Sequence, residues 1–224
     1  SILATAVAGI IVAILSGPFQ ALSIVISFGL IGIAMGGAIN KKLSPFKVLA
    51  VGGAASLISK VILIFLTMLM MGINPITEEI NIMKESLLMA GSLYEKFGMD
   101  PQTVETTIDS FNRSLELLPI LIPGIFIMAS VMDTFLTYVV TKAVLARMGQ
   151  KLEDLTPFWL WKFPDFTVAF FLLGYLLVLL ETYWPVGVLK AVGMNISLVF
   201  GFAFYIEGFS LLAYFLGKYN VAKP

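Results

Sequence analysis

The sequence predicts an all-α fold, a polytopic transmembrane helical bundle with an external amphipathic helical hairpin. Three observations carry this. Of the 224 residues, 59% are hydrophobic and only 12% are charged, whereas a water-soluble domain carries about a quarter charged residues to cover its surface. The apolar residues are gathered into six long runs rather than spread along the chain. A single hydrophilic stretch, residues 72–118, interrupts them, and it too repeats at helical spacing. Lipid is therefore the solvent this chain is built for: a crossing of about 30 Å takes roughly 20 apolar residues, and six of them use over half of the chain.

Between charged residues and Pro/Gly punctuation, the runs lie at 2–15, 19–39, 46–71, 119–144, 166–184 and 190–217. Backbone polar groups in hydrocarbon have to bond within their own segment, so each run reads as a helix. Only Ser16, Gly17 and Pro18 separate the first two, which predicts a tight helical hairpin. The first run is short and Ser1 is not a methionine, which predicts that further residues precede the chain. The organisation expected is transmembrane helices one to three in 1–71, the external hairpin in 72–118, and helices four to six in 119–224 with a cytoplasmic aromatic elbow at 156–166.

Residues 72–118 hold eight acids against three bases and show two helix starts. Asn74-Pro75 supplies an N-cap and a first-turn proline, Glu78 and Glu79 suit the positive end of a helix dipole, and Ile76, Ile80, Met83 and Leu87 form an apolar stripe. Gly98 ends this helix. Asp100-Pro101 repeats the signal, and Val104, Ile108, Phe111, Leu115 and Leu118 form a second stripe running up to Pro119 and Pro123. Such stripes specify burial; a hairpin packed on itself is the simpler expectation, and a lid or docking platform the more specific one.

Orientation follows from the cations. Lys41, Lys42 and Lys47 follow the second run, Lys142, Arg147, Lys151 and Lys162 the fourth, and Lys218 and Lys223 the sixth. By the positive-inside rule these loops and both ends of the chain lie in the cytoplasm.

The absence of histidine and cysteine removes imidazole and thiolate chemistry, and with them most hydrolytic, redox and haem mechanisms. No metal or cofactor is expected. The balanced charge, 14 basic against 14 acidic residues, provides no bulk field to attract nucleic acid. No GxxxxGK[ST] phosphate loop occurs, so ATP hydrolysis by that route requires a separate subunit.

Small residues at four-residue spacing mark faces where helices approach closely in lipid. Ala4 with Ala8, Gly9 with Ala13, Gly32 with Gly36, Gly52 with Ser56, and Gly193 with Ser197 and Gly201 all qualify. Charges within the runs are rarer and more informative, because each costs at least about 2.5 to 3.5 kcal/mol near the bilayer centre unless sheltered. Lys60 shares a face with Gly53 and Ser56, and Asp133 lies in a polar stripe with Ser130, Thr137 and Thr141. From the helical rise they sit roughly 16 and 21 Å below the external ends of their runs, close enough for an ion pair. Such a pair either fixes helix register or belongs to a polar cavity. Glu207, beside Gly208, has no cationic partner visible in the sequence and reads as a ligand contact or a protonatable site.

The elbow, TPFWLWKFPDF, surrounds Lys162 with Phe158, Trp159, Trp161, Phe163, Phe166 and two prolines. An interfacial aromatic belt accounts for that composition. Contact with a partner through Trp159, Trp161 and Lys162 is the second reading, suggested by the stiffness of the prolines.

Taken together, GLIGIAMGGAINKK at 29–42, the acidic hairpin, LLPILIPG at 117–124 and the aromatic-basic-proline elbow resemble the YybS-like family, bacterial polytopic membrane proteins of unknown function. The resemblance covers most of the chain. It implies about two further N-terminal spans, making a roughly eight-span protein. The family is distantly similar to the substrate-binding membrane subunits of energy-coupling-factor vitamin transporters, whose docking motif the Ala4-xxx-Ala8 pair resembles. The resemblance assigns no functional residue.

The expectation that follows is a substrate-binding or transport subunit without its own ATPase, in the bacterial cytoplasmic membrane. Its cavity would be lined by Lys60, Asp133 and Glu207, and its partners would be the lipid bilayer and an energising subunit or partner membrane protein. The alternative is a non-catalytic membrane scaffold that binds a partner protein through the hairpin or the elbow. An intramembrane enzyme ranks last, since only an Asp133–Glu207 dyad would be available to it.

Overall fold

The structure, a computed structural model, describes the backbone of residues 2–219 and the side chains of 5–219. The side chain of Ala4 and all of Lys223 fall outside it. Among the described residues there are seven α-helices and no strand: α1 (Ile2–Ser16), α2 (Pro18–Asn40), α3 (Pro45–Met71), α4 (Pro75–Lys96), α5 (Pro101–Arg147), α6 (Phe166–Glu181) and α7 (Val188–Lys218). Of these, α2, α3, α5 and α7 are long and apolar enough to cross a membrane. The apolar helices Thr5–Ser16 and Phe166–Glu181 are shorter. At 16 residues, α6 is about 24 Å long, short of the roughly 30 Å of hydrocarbon. It stops before the expected residue 184 because Pro185 follows and the Glu181 carboxylate turns to accept from Gly187 N at 2.7 Å.

The chain forms two compact units, one of Ser1–Leu63 with Pro123–Pro224 and one of Ile64–Ile122. In the first, α1 and α2 make the expected tight hairpin. Gly17 turns it at φ 93°, a conformation that costs glycine little, and Pro18 opens α2. The two helices close on glycine: a Cβ at Gly9 would lie 2.7 Å from Val25 Cγ2, and one at Gly29 would lie 3.0 Å from Thr5 Cγ2. Between these contacts, Val25–Gly29 forms a π turn inside α2.

Helices α6 and α7 approach more closely still. A Cβ at Gly174 would fall 2.8 Å from Ser197 N and 2.9 Å from the Gly193 carbonyl, while one at Gly193 would fall 2.6 Å from the Gly174 carbonyl. The crossing is thus backbone on backbone, and the Gly193-Ser197-Gly201 stripe finds its partner inside the chain. Gly32 differs. A Cβ there meets nothing within 4 Å among the described residues.

What the first unit buries also points to lipid as the solvent. Ile31, Met35, Ala38, Val48 and Tyr138 form a small apolar cluster, yet Ser56, Ser59, Ser130, Thr134, Thr167 and Ser210 are buried just as fully. Large apolar side chains such as Ile14, Phe46 and Ile58 stand exposed. In water this arrangement would be costly; in hydrocarbon it removes polar atoms from a solvent that cannot bond them.

The second unit pairs α4 with the start of α5. Asn74 Oδ1 accepts from Ile76 N at 3.0 Å, Asp100 Oδ2 accepts from Thr103 N at 3.0 Å, and Gly98 at φ 84° ends the first helix, as the sequence signals require. Gly91 faces Val104 and Ile108, its notional Cβ 2.4 Å from Ile108 Cδ1. The shielded face of α4 runs through Ile76, Ile80, Lys84, Leu87 and Gly91, while the expected stripe members Met83 and Phe111 are exposed. Close approach at Gly91 rotates the helix onto its small residue and turns Met83 away.

One boundary differs from expectation. The second hairpin helix and the fourth run are a single 47-residue helix, α5, without a break at 118–119. Pro119 and Pro123 lie four residues apart and so remove donors from one side of the helix only. Directly after the second proline, Gly124 N donates to the Asn195 side chain of α7 at 2.6 Å. A neighbouring side chain that takes up a backbone group beside a proline is how apolar helices tolerate the residue.

The α6–α7 crossing gives a test. Gly193→Val forces a side chain into the Gly174 carbonyl and is expected to destabilise the protein by about 1–3 kcal/mol, seen as a lowered thermal midpoint in detergent micelles. Gly201→Ala meets only a Phe171 ring atom, at 3.4 Å, and should leave the midpoint nearly unchanged.

Candidate functional site

The residues singled out by sequence separate into two places, both within the first unit. The first is a polar seam between α3 and α5. Gly52 lets the helices meet, since a Cβ there would lie 2.5 Å from Thr134 Cγ2 and 2.7 Å from Met35 Cγ. One turn further along α3, Ser56 Oγ donates to Asp133 Oδ2 at 3.0 Å and accepts from Lys60 Nζ at 2.8 Å. Lys60 Nζ itself reaches Asp133 Oδ2 at 2.5 Å. The three side chains close a triangle in which one carboxylate oxygen takes both a charge and a hydroxyl. The ion pair expected from helical rise therefore forms.

The rest of the stripe turns inward on its own helix. Thr137 Oγ1 donates to the Asp133 carbonyl at 2.7 Å, and Thr134 Oγ1 to the Ser130 carbonyl at 2.7 Å. Ser130 Oγ is buried with no hydrogen-bond partner among the described residues. Thr134, not Thr137, is the residue at the helix contact. Sequence spacing alone missed this, because the fulcrum is set by Gly52 on the opposite helix.

Asp133 and Lys60 are not sealed away; their side chains keep 37% and 21% exposure. The pair is nonetheless satisfied from within: the ammonium has two partners and Oδ2 has two. Chemically it is a charge-balanced, hydrogen-bonded ion pair joining α3 to α5.

The second place is a cleft of about 530 Å³ between the elbow and the C-terminal third of α7. Trp159, Trp161 and Lys162 line one wall, Phe204, Glu207 and Tyr214 the other. Sequence rules fix the elbow's path. Pro157 and Pro164 bar helix across it, leaving only the 3₁₀ turn Phe158–Leu160. Ser210 Oγ then donates to the Phe158 carbonyl at 2.7 Å, with the Trp161 carbonyl at 3.0 Å, and so ties the elbow to α7. The Trp161 indole donates to the Thr156 carbonyl at 2.7 Å, and its ring meets the Phe135 edge at 5.6 Å. Further back, Tyr138 donates to the Glu153 carbonyl at 2.8 Å and Lys142 pairs with Asp154, which holds the chain leading into the elbow.

Of the elbow residues put forward for partner contact, Trp161 is therefore an anchor turned inward, while Trp159 and Lys162 are exposed. Glu207 shares no hydrogen bond or ion pair with Lys60 or Asp133. It forms neither kind of contact with any described residue, and the same holds for Lys162. The single cavity expected from Lys60, Asp133 and Glu207 is thus replaced by a closed pair in one place and an open carboxylate in another. The cleft residues that sequence analysis missed are Phe204, Tyr214 and Ser210; they lie three to seven residues from Glu207, one or two turns along the same helix, a spacing that marks a common face.

Over residues 1–224 the chain matches the family described as "Predicted membrane protein (DUF2232)". The "Uncharacterized protein YybS" of Bacillus subtilis (strain 168) is 25% identical over 210 residues, covering 92% of this chain and 66% of the relative. The chain thus spans just under two thirds of that relative's length. No solved structure matches it.

The polar seam makes a double-mutant prediction. Lys60→Met leaves the Asp133 carboxylate without its cation and should cost about 1–3 kcal/mol, less than the roughly 3–5 of a fully buried pair because both groups are partly exposed. Lys60→Met combined with Asp133→Leu should recover most of that loss. Unfolding of the four proteins in detergent measures the coupling; additive effects would mean that the two groups do not act as a pair.

Proposed function

The chain belongs to the DUF2232 family of predicted membrane proteins, and from that premise we propose that it is a non-catalytic, multi-pass membrane subunit that binds a small amphiphilic molecule in the elbow cleft. The observation that carries this is Glu207. It is a carboxylate in a membrane-spanning helix with no hydrogen bond or ion pair among the described residues, and it lines a cleft of about 530 Å³. Ligand pockets commonly enclose about 300–1,000 Å³ with a mostly apolar lining and a few polar groups to orient the ligand. An ionisable group placed inside a membrane segment at the expense of insertion free energy points to use.

This reading keeps the substrate-binding half of the transport expectation and moves the site. A transport role rests on an energising partner, because the sequence carries no phosphate-binding loop of its own. The Lys60–Asp133 pair serves to fix α3 against α5 rather than to contact ligand. The scaffold reading is favoured by one observation of its own, the exposure of Trp159 and Lys162 at the elbow.

The cation distribution supports a bacterial cytoplasmic-membrane location, with the elbow and both ends of the chain on the cytoplasmic side and residues 72–118 outside. Since the chain has no cysteine, single cysteines report this cleanly. Ser92→Cys in whole cells should react with a membrane-impermeant maleimide, and Lys151→Cys only after permeabilisation; the reverse pattern would invert the topology.

Gly208 offers a direct test of the cleft. It lines the cavity, and a Cβ there meets nothing within 4 Å among the described residues, so Gly208→Phe starts its side chain in open space and occupies the cleft. Native mass spectrometry of gently purified protein should show a bound small molecule or lipid that Gly208→Phe loses with no change in thermal midpoint. Equal retention by the variant would remove the cleft as the site.

A further inference from the structure

The two charges of the elbow cleft set the chemistry of what fills it. Glu207 and Lys162 line the same cavity, yet they are not within 4 Å of each other and neither has a hydrogen bond or ion pair among the described residues. Around them Ser210 Oγ is engaged by the Phe158 and Trp161 carbonyls and the Trp161 indole by the Thr156 carbonyl, while the other polar side-chain atoms of the lining, the Trp159 indole N–H and the Tyr214 hydroxyl, are uncharged and carried on aromatic rings. What remains is an apolar, aromatic wall with one anion and one cation standing apart. A purely cationic ligand would satisfy Glu207 and leave Lys162 uncompensated; a purely anionic ligand would do the converse. A ligand that carries both charges satisfies both.

We propose that the cleft binds the head group of a zwitterionic phospholipid bearing a primary ammonium, as in phosphatidylethanolamine, with the ammonium at Glu207 and the phosphate at Lys162. This assignment rests on the cleft being a ligand site, as argued above, and adds the ligand's class. Three features favour a lipid over a water-borne zwitterion. The cleft opens from a chain whose solvent is lipid, its leucines and aromatics suit acyl and glycerol carbons, and the tryptophan-rich elbow belongs at head-group level. The aromatic rings add a second attraction for the ammonium, since a cation over a ring face is favoured. A primary ammonium donates hydrogen bonds to the carboxylate; a trimethylammonium keeps only charge and ring contact. A glycerol head group presents no cation to Glu207 at all. Phosphatidylethanolamine should therefore bind ahead of phosphatidylcholine, and both ahead of phosphatidylglycerol.

The test uses the full chain, delipidated and returned to nanodiscs of equimolar phosphatidylethanolamine, phosphatidylcholine and phosphatidylglycerol, with retained lipid counted by native mass spectrometry after release. Phosphatidylethanolamine should be enriched about tenfold over phosphatidylglycerol, the size of one charge-assisted hydrogen bond. Glu207→Gln should abolish the enrichment, Lys162→Gln should lower retention of all three lipids while keeping their order, and Gly208→Phe should retain no lipid in the cleft. Retention without head-group preference, but lost in Gly208→Phe, overturns the zwitterion assignment and leaves the cleft a ligand site. No retention in any protein overturns both. Displacement of the lipid by millimolar phosphoethanolamine or phenylalanine would overturn the lipid source in favour of a soluble zwitterion.

Discussion

Hydrocarbon offers a polar atom no water to fall back on, and the architecture follows from where such atoms find one another instead. The seam between α3 and α5 shows this most fully. Lys60, Ser56 and Asp133 form a closed triangle with contacts of 2.5 to 3.0 Å, and none of the three is satisfied without the other two. A slide of one helix by a residue would part the charges and expose both to lipid. The triangle thus sets register in a way that interchangeable apolar contacts cannot. The same rule explains Asn195 at Gly124 and Ser210 at the elbow carbonyls, each a side chain spent on backbone groups that local structure leaves free.

Glycine makes these polar contacts reachable. At the crossing a Cβ on Gly52 would press on Thr134 Cγ2 of α5 at 2.5 Å, so the glycine lets α3 and α5 come as close as the Ser56–Asp133 contact requires. Gly174 and Gly193 do the same for α6 and α7, bringing backbone against backbone. Small residues thus contribute twice in lipid, through dispersion at close range and through the hydrogen bonds that close range permits.

Much of this was legible in the sequence because solvation acts on runs of residues. The apolar runs, the hairpin at Gly17, the starts at Asn74 and Asp100 and the stop at Gly98 each rest on a local rule that the structure obeys. The Lys60–Asp133 pair was legible too, since helical rise fixes depth and depth limits partners. What could not be read were features decided across helices. Pro119 and Pro123 look like a boundary, and locally they are; α5 continues through them, and beside the second the Gly124 amide is taken up by Asn195 some seventy residues away. Thr134 rather than Thr137 meets α3 because Gly52 chooses it. Phe204 and Tyr214 become cleft residues only once Ser210 has drawn the elbow onto α7.

Asp133 and Glu207 lie in the apolar stretches of α5 and α7, and their different fates bear on function. Asp133 sits where the chain supplies a cation and a hydroxyl, so its charge is neutralised by the fold. Glu207 sits on α7, at intermediate burial, with aromatic side chains where Asp133 has its lysine. Were the acid at 207 purely structural, a neighbouring helix would be expected to answer it as α3 answers Asp133. The nearby cation, Lys162, is instead held across an open cleft on a segment fixed by Ser210. Two opposite charges kept apart in an apolar setting attract a molecule that bridges them, and the rigidity of the elbow keeps them from collapsing on each other.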